Sequence, residues 1–343
     1  MAWYNRVFNF GSKRPTVKRK FKTQRSYAGA NTGRLFADFI TSSASADAEI
    51  KDNIRVLRDR ARELARNDSH IARYLNLMVS NVIGKAGIRL SAKVRLDDNV
   101  NQGKLDIRAN KLIEDAWKQW SKMGNCTANG RLSFLDCQKI AIEALARDGE
   151  VLIRKLKKED SPFGFQIQFL EADHLDEDLN KHNPKTGNEI KMGVEVDKYD
   201  KPVAYHLYKN HPFDRTYMNE NEHIVVPADE IIHLYMPTRP EQTRGVTNIA
   251  TVMANVKQLN AYLEAEIVAA RVASSKMGFF TSPDGDGYVG DSEDIDGNPV
   301  QTANAGTFEQ LPNGTSVETF DPNHPNSAFS DFQKAVLREI ASG

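Results

Sequence analysis

Helical and strand-like patterns occupy separate stretches of this chain, and their order restricts the folds that it can adopt. Apolar residues recur at helical spacing across residues 47–149, whereas residues 150–235 contain β-rich stretches or stretches that alternate apolar and polar side chains. A run of helices followed by a run of strands is typical of domains in which helices and sheets are segregated. We therefore predict an α+β fold.

Four helices and one strand are predicted before residue 150. The helices cover a stripe from Ile50 to Leu64, a stripe from Ile71 to Val82, residues 105–123 and the segment SFLDCQKIAIEALARDGE, and the strand is GIRLSAKV, residues 87–94. The third helix is expected to bury a face made of Leu112, Ile113, Ala116, Trp117 and Trp120. In the fourth, Ser133 is the expected N-cap, Gly149 ends the helix, and Cys137 is expected to be a buried, inert thiol.

Five strands separated by turn signals are predicted next. They are EVLIRKL (150–156), FQIQFLE (165–171), IKMGVEV (190–196), PVAYHLY (202–208) and EIIHLY (230–235). His206 and His233 fall inside two of these strands. A histidine in a strand is more commonly a satisfied core or edge residue than a metal ligand, and we interpret both in that way.

A long helix is predicted over residues 247–276, because apolar residues keep helical spacing there without an internal glycine or proline. Such a helix usually packs against neighbours, often in other subunits. Residues 281–326 are rich in Gly, Pro, Asn and Asp and are expected to be loop-like, with two short strands around a PNG turn. A last amphipathic helix starts near Ser327 and runs to the final residue, from which we expect the chain to be a piece of a longer protein.

Charge and cysteine content limit the classes of function. The 343 residues include 46 Lys and Arg and 46 Asp and Glu, a balance that disfavours a protein made to grip nucleic acid tightly but allows local basic patches. The two cysteines, Cys126 and Cys137, fit no zinc pattern and indicate a reducing compartment. No apolar run is long enough to span a membrane, and the N-terminus lacks a signal-peptide core. We expect the protein to be made and used in a cytoplasm.

The N-terminal 37 residues contain no Asp or Glu and form a basic arm that we expect to be mobile. Its candidate contacts with nucleic acid or an acidic partner are Lys13, Arg14, Lys18, Arg19, Lys20, Lys22 and Arg25. A solvated tail without a partner is an equally good interpretation of the same residues.

The densest group of candidate metal ligands is EADHLDED, residues 171–178. It does not fit a calcium loop: counted from Asp176, the loop positions that need Gly and Glu hold Lys181 and Gly187. The HExxH, P-loop and GxSxG motifs are absent from the sequence. We therefore interpret the segment as a charged loop after a strand, and predict no catalytic residue, metal or cofactor. The alternative is a metal-dependent nuclease or terminase-like enzyme that uses Asp173, Asp176 and Asp178.

Four stretches together resemble the lambda-type portal proteins of tailed bacteriophages. They are ARNDSHIARYLNLMVSNVIGKAGIRLSA, ALARDGEVLIRK with IQFLEADHLDED, MGVEVDKYDKPVAYHLY, and EIIHLYMPTRPEQTRGV leading into YLEAEIVAARVASSKMGFF. They span about residues 50–280, and their order and spacing carry the resemblance. Within it, EADHLDED corresponds to a strand-to-loop passage without chemistry.

The resemblance implies a structural subunit, not an enzyme, in a ring of about a dozen copies at one capsid vertex, through which viral DNA is packaged and ejected. The implied partners are further copies of the chain, the major capsid protein and scaffold, the terminase large subunit, head–tail connector proteins and weakly bound double-stranded DNA, with no membrane. The implied location is the virion, with assembly in the host cytoplasm. A plain DNA-binding protein that uses the basic arm is a further alternative.

The same resemblance implies a division of the chain. The regions are a basic arm (1–40), a wing-like α+β domain (41–245), a long stem-like helix (246–280), a loop-rich clip or connector region (281–326) and the start of a helix (327–343). Family members usually continue past this last helix. Charged residues off the apolar stripe of the long helix are candidate subunit contacts: Lys257, Glu264, Glu266, Arg271 and Lys276.

Overall fold

The computed structural model describes residues 34, 38, 43–96, 103–158, 161–214, 222–274, 277–281, 292–293, 295, 299–300, 316–320 and 328–343. The chain divides into two compact units, residues 1–44 and 45–343, and the description below concerns the second. The candidate contacts of the basic arm, Lys13, Arg14, Lys18, Arg19, Lys20, Lys22 and Arg25, lie outside the described residues, as do Lys276 and most of residues 281–326.

Seven α-helices lie in the described part of the chain. They are α1 (Ala46–Lys51), α2 (Ile54–Asn67), α3 (Ser69–Val82), α4 (Ile107–Trp120), α5 (Phe134–Asp148), α6 (Met253–Ser274) and α7 (Phe329–Ser342). The expected helix through residues 50–64 is interrupted at Asn53, whose side-chain amide donates to the carbonyl of Glu49 over 3.1 Å. Ser133 caps α5 as predicted, in a capping box with Asp136, and Gly149 follows with φ of +89°.

The described strands form antiparallel sheets. They are β1 (Glu150–Lys157), β2 (Phe165–Leu170), β3 (Lys181–His182), β4 (Glu189–Lys191), β5 (Val194–Val196), β6 (Pro202–Tyr208), β7 (His223–Pro227), β8 (Ile231–Tyr235), β9 (Met277–Thr281), β10 (Ser292–Glu293), β11 (Pro299–Val300) and β12 (Ser316–Phe320). Two larger sheets have the orders β2-β1-β8 and β3-β4-β5-β6-β7, and β9 with β12 and β10 with β11 form separate pairs. Helices and antiparallel sheets in one unit confirm the predicted α+β class.

The three-stranded sheet is covered on both faces. On one face, Trp120 of α4, Cys137 of α5 and Ile167 of β2 share a buried cluster. On the other face, Leu152 of β1 packs in a cluster with buried residues of the five-stranded sheet, among them Leu207. A separate core joins α2, α3 and the start of α6. The sheet β2-β1-β8 is therefore the middle layer between helices and the second sheet.

The predicted single strand IKMGVEV is wrong, because it forms two strands, β4 and β5, joined by a tight turn. Met192 and Gly193 occupy the turn with φ of +47° and +83°. Positive φ at both central residues is the pattern of the two-residue turn that matches the twist of a hairpin. The structure also contains β7, which the sequence patterns did not predict.

The predicted strand GIRLSAKV is also wrong, because residues 87–94 belong to no ladder. Their apolar side chains are largely exposed, Ile88 at 64% and Leu90 at 42%. Side chains of α4 and α5 take the place of a neighbouring strand: Gln138 bonds both the N–H and the C=O of Ile88, and Asn110 does the same for Val94. We call residues 87–96 the strap.

The apolar face of α4 is only partly buried, which corrects a second expectation. Trp120 is buried and Trp117 packs beside it at 4.9 Å between ring centroids, as predicted. Leu112 and Ile113, predicted to share that buried face, are 63% and 42% exposed, and Ala116 is exposed as well. The two tryptophans at the C-terminal end of α4 therefore make its core contacts.

Candidate functional site

The acidic segment EADHLDED meets an arginine face of α2. Arg55, Arg58 and Arg62 follow one another at spacings of three and four residues, so that they lie on one side of the helix. Arg55 Nε lies 2.6 Å from a carboxylate oxygen of Glu177. Asp173 accepts from Arg58 over 3.1 Å and from Arg62 over 2.6 Å. The segment thus fastens the helical layer to the sheets.

The three aspartates of the nuclease alternative do not converge on one point. Asp173 is buried between two arginines, Asp176 lies 3.0 Å from His223 Nε2, and Asp178 is exposed. Burial would raise the pKa of Asp173, but Arg58 and Arg62 outweigh it and lower that pKa below the usual range. Asp173 is thus a partner of arginines within the fold.

One group in the described part of the chain has the spacing of a metal site: Glu171, Asp173 and His211. A guanidinium already lies among these ligands, because Arg62 Nη2 is 3.3 Å from Glu171 and 2.6 Å from Asp173. A metal ion would have to displace this cation. The group is therefore better described as an ion-pair cluster.

The most deeply buried charges surround Glu150 at the start of β1. Its carboxylate accepts from Arg244 Nη2 at 2.5 Å and from the backbone N–H of Gly245 at 2.9 Å. His233 Nε2 lies 2.9 Å away and Arg58 Nη2 lies 3.3 Å away. Burial would raise the pKa of Glu150, but Arg244 and His233 hold it well below its usual range. We call this group the buried charge cluster; it consists of Glu150, Arg58, Arg244 and His233.

Arg244 joins three parts of the fold: the start of β1, the β4–β5 turn and the segment at Ala172. Besides Glu150, it donates to the carbonyl of Met192 in the β4–β5 turn over 2.9 Å and to that of Ala172 over 3.2 Å. Beside it, Gly149 and Gly245 pack backbone against backbone so closely that a Cβ on either would overlap the other segment. These contacts fix the segment that leads into α6.

Two further predictions about single residues are confirmed. Cys137 is buried, and burial raises the pKa of its thiol to about 12, so it is inert as a nucleophile. His206 is buried 3.1 Å from Glu195, and His233 is paired with Glu150. Both histidines are therefore satisfied by carboxylates within the core.

The helix α6 has 22 residues and extends for about 33 Å. Its apolar stripe changes environment along its length. Val256 and Leu259 are buried in the core with α2 and α3, at 1% and 2% exposure. Further along the same helix, Ile267 is 60% exposed and Val268 is 49% exposed. An apolar stripe that leaves the core of its own chain is a candidate surface for another molecule.

The charged candidates on α6 lie along this surface. Lys257, Glu264 and Arg271 are exposed, while Glu266 is half-buried and hydrogen-bonded to Tyr262. The helix α7 packs beside them, with Phe332 of α7 against Tyr262 at 4.9 Å between ring centroids. Aromatic residues of α7 are thus among the partners of the outer half of α6, and Ile267 and Val268 are exposed on it.

The buried charge cluster and the arginine face of α2 were not predicted. The spacing of Arg55, Arg58 and Arg62 was a usable signal, because it places three arginines on one face of a helix, where they can pair with an acidic segment such as EADHLDED. The pairing of Glu150 with Arg244 had no such signal, because 94 residues separate the partners.

No helix among the described residues is long and apolar enough to cross a lipid bilayer.

The family model described as "Phage portal protein, lambda family" matches residues 32–343. A probable portal protein of Halomonas phage phiHAP-1 is 36% identical over 339 residues, which are 96% of this chain and 63% of that protein. Portal protein B of Escherichia phage lambda is 22% identical, over 92% of this chain and 63% of its own length.

A solved structure of the neck of an empty gene transfer agent particle, with C6 symmetry, aligns at a TM-score of 0.49 and 12% identity, covering 82% of this chain and 68% of that one. The chain spans a little under two thirds of the length of the curated relatives that it matches. The family match, in contrast, covers nearly all of the chain, from residue 32 to its last residue. The chain therefore belongs to the lambda family of phage portal proteins.

Proposed function

We propose that this chain is a structural subunit of a phage portal, the ring at one vertex of the viral head through which DNA is packaged and ejected. The main support for this proposal is the family match over residues 32–343. Because the chain spans only part of the length of its curated relatives, the ring and its partners are properties that experiments on this chain must test.

The ring contact is assigned to the outer half of α6. In a closed ring each subunit presents two different surfaces, one to each neighbour. The exposed Ile267 and Val268 supply apolar area for such a contact, and Glu264 and Arg271 supply opposite charges along the same helix. The start of α6 is buried in the core and holds this surface in a fixed position on its own chain.

The proposed division of the chain follows the family pattern. Residues 1–40 are a basic arm, 41–245 the wing, 246–280 a stem helix, 281–326 the clip or connector region and 327–343 the start of a further helix. The support is partial: α6 (Met253–Ser274) falls inside the stem segment, and the two larger sheets fall inside the wing segment.

We also propose that the subunit is not an enzyme. Asp173 is neutralised by two arginines, and the nearby group with metal-ligand spacing already contains Arg62. The proposed partners are about a dozen copies of the chain itself, the major capsid protein and scaffold, the terminase large subunit, head–tail connector proteins and the DNA that passes through. The proposed locations are the capsid vertex and, during assembly, the host cytoplasm.

The test is the mass and shape of the purified chain in solution, by light scattering and negative-stain microscopy. We expect rings with a central hole. The variant Glu264→Lys reverses a charge on the outer half of α6 and is expected to lower the fraction of rings. The matched control, Glu63→Lys on the exposed side of α2, is expected to assemble like the parent chain.

Particles with the mass of one subunit at every concentration would contradict the ring. Equal assembly of both variants would remove Glu264 from the interface while leaving the ring intact. Magnesium-dependent cleavage of DNA that disappears in Asp178→Ala, a change at an exposed carboxylate, would instead support the nuclease alternative.

A further inference from the structure

Positive charge is concentrated on one described surface of this otherwise balanced chain. Residues 85–122 contain nine Lys and Arg, all exposed, and five Asp and Glu. The nine are Lys85, Arg89, Lys93, Arg95, Lys104, Arg108, Lys111, Lys118 and Lys122. Over the whole chain the two signs are equal, 46 against 46, so this region carries a local excess of four positive charges. We call it the basic surface.

Geometry brings the cations of α4 and of the strap together. Arg108, Lys111 and Lys118 lie within about 80° of one another around α4 and extend for about 15 Å along it. The strap runs beside this row, because Ala92 N–H donates to Glu114 over 3.0 Å and Val94 N–H donates to Asn110 over 2.6 Å. The strap cations Arg89, Lys93 and Arg95 therefore flank the row on α4.

Two carboxylates within the basic surface accept hydrogen bonds from the backbone. Asp106 caps α4 and accepts from the N–H of Ala109 at 2.9 Å, and Glu114 accepts from Ala92. In the described part of the chain, no ion pair joins Arg108, Lys111 or Lys118 to a carboxylate. Their charge is thus free for an external anion.

We infer that the basic surface binds the phosphate backbone of double-stranded DNA. A row of cations along one helix face is the electrostatic footprint of a nucleic-acid contact. A duplex carries one negative charge per about 1.7 Å of its axis, so 15 Å of duplex holds about nine phosphates on its two strands, and the row on α4 faces those on the near side. This contact is additional to passage of DNA through a ring, and a single chain suffices for it.

An acidic protein would also be attracted, but the kind of cation favours DNA. Exposed apolar residues lie among the cations, Ile107 at 80% and Leu112 at 63% exposed. Six of the nine cations are nevertheless Lys, which is depleted in protein–protein interfaces relative to the rest of the surface. A phosphate backbone, in contrast, needs only cations within reach of it.

The test is the salt dependence of binding to a 20-base-pair duplex, followed by fluorescence anisotropy with the full chain. The variant Arg108→Gln/Lys111→Gln/Lys118→Gln removes three charges from the row. The matched control Lys185→Gln/Lys198→Gln/Lys201→Gln removes three exposed charges from turns of the five-stranded sheet. A third variant, Lys18→Gln/Arg19→Gln/Lys20→Gln, removes three charges from the N-terminal arm.

Neutralising the row is expected to weaken binding at least about tenfold near 0.1 M salt and to reduce the slope of log K against log salt by about two to three. The control is expected to change the slope by less than about one.

The inference is overturned if the chain does not bind the duplex, if row and control variants lose affinity equally, or if the arm variant alone abolishes binding. Loss of duplex binding in Leu112→Ser/Ile113→Ser with full binding in the row variant would also overturn it. Circular dichroism of each variant checks that the fold is intact.

Discussion

At the scale of single residues, the fold depends on buried charges whose hydrogen bonds are satisfied. Glu150 and Arg244 are both fully buried, and four groups donate to or lie against the Glu150 carboxylate. Burial of an ion pair contributes little net stability, but removal of one partner leaves an uncompensated charge in the core. Such a cluster is therefore very sensitive to single substitutions.

We expect Glu150→Gln to lower the free energy of unfolding by about 3–5 kcal/mol, because Arg58 and Arg244 would remain buried without their shared counter-charge. Urea unfolding monitored by circular dichroism measures the change. The control Glu189→Gln removes an exposed carboxylate paired with His182 and is expected to change stability by at most about 0.5 kcal/mol. A loss below about 1 kcal/mol for Glu150→Gln would contradict the role of the cluster.

Glu195 gives a pH-dependent prediction. Burial would raise its pKa, but hydrogen bonds from Thr186, Asn188, His206 and Asn183 outweigh it and lower the pKa from 4.5 to about 2. A lowered folded-state pKa stabilises the fold above the unfolded value, and the stabilisation is lost as the pH falls from about 4.5 towards 2.

We therefore expect Glu195→Gln to cost about 1–3 kcal/mol at pH 7, and this difference from the parent chain to shrink as the pH falls below 4.5. Thermal unfolding across pH 2–7 measures it. Glu222→Gln, an exposed carboxylate near Lys209, is the control without such a pH-dependent difference. A constant difference at every pH would show that the charge of Glu195 does not matter.

From the sequence, His206 and His233 were interpreted as satisfied strand residues, and Cys137 as a buried thiol, because of the strands and the helix in which they lie. The sequence did not identify their partners. Glu195 and His206 are only 11 residues apart and meet across the β5–β6 hairpin, but which side chains face one another there depends on the register shift between Glu195 and Val196, which a propensity pattern does not reveal.

At the scale of elements, the strap has a strand-like sequence but does not pair with any described strand. Alternating Ile88, Leu90 and Val94 predicted a strand, but the residues that satisfy the backbone of this segment are Asn110 and Gln138 on helices. Side-chain amides can replace a strand neighbour because each offers both a donor and an acceptor. Periodicity alone does not reveal such partners.

We expect Asn110→Ala to release the strap locally, because the N–H and C=O of Val94 lose their partner. Amide exchange at Val94 is expected to become at least about tenfold faster, which corresponds to about 1.4 kcal/mol of local opening. The control Lys111→Ala changes the neighbouring exposed residue and is expected to leave exchange at Val94 unchanged. Unchanged exchange in Asn110→Ala would show that other contacts hold the strap.

At the scale of the whole molecule, the sequence patterns predicted the order of helices and strands well. They predicted the long helix α6 but placed its start at residue 247, six residues before Met253, because Ile249 and Val252 continue the stripe in a turn segment. The contacts between layers could not be predicted, since they pair residues about 90 to 115 positions apart in the chain. The basic surface was likewise not visible as a unit until α4 and the strap were placed side by side.

Two substitutions on α6 test the stability of the chain and its assembly separately. Val256 is buried in the core of the chain, whereas Ile267 is exposed on the same stripe of α6. We expect Val256→Asp to destabilise the chain by more than about 3 kcal/mol, because it buries an unpaired charge. Ile267→Asp is expected to leave the unfolding midpoint unchanged and to reduce ring formation in light scattering. Equal effects of the two changes on the unfolding midpoint would contradict this division of α6.

The two halves of α6 also imply an order of events. Val256 and Leu259 pack against α2 and α3 of the same chain, so the start of the helix is held without a contact to a neighbour. For the proposed ring we therefore expect each subunit to complete its own folding first, so that the rate of ring formation depends on encounters between folded chains and rises with their concentration.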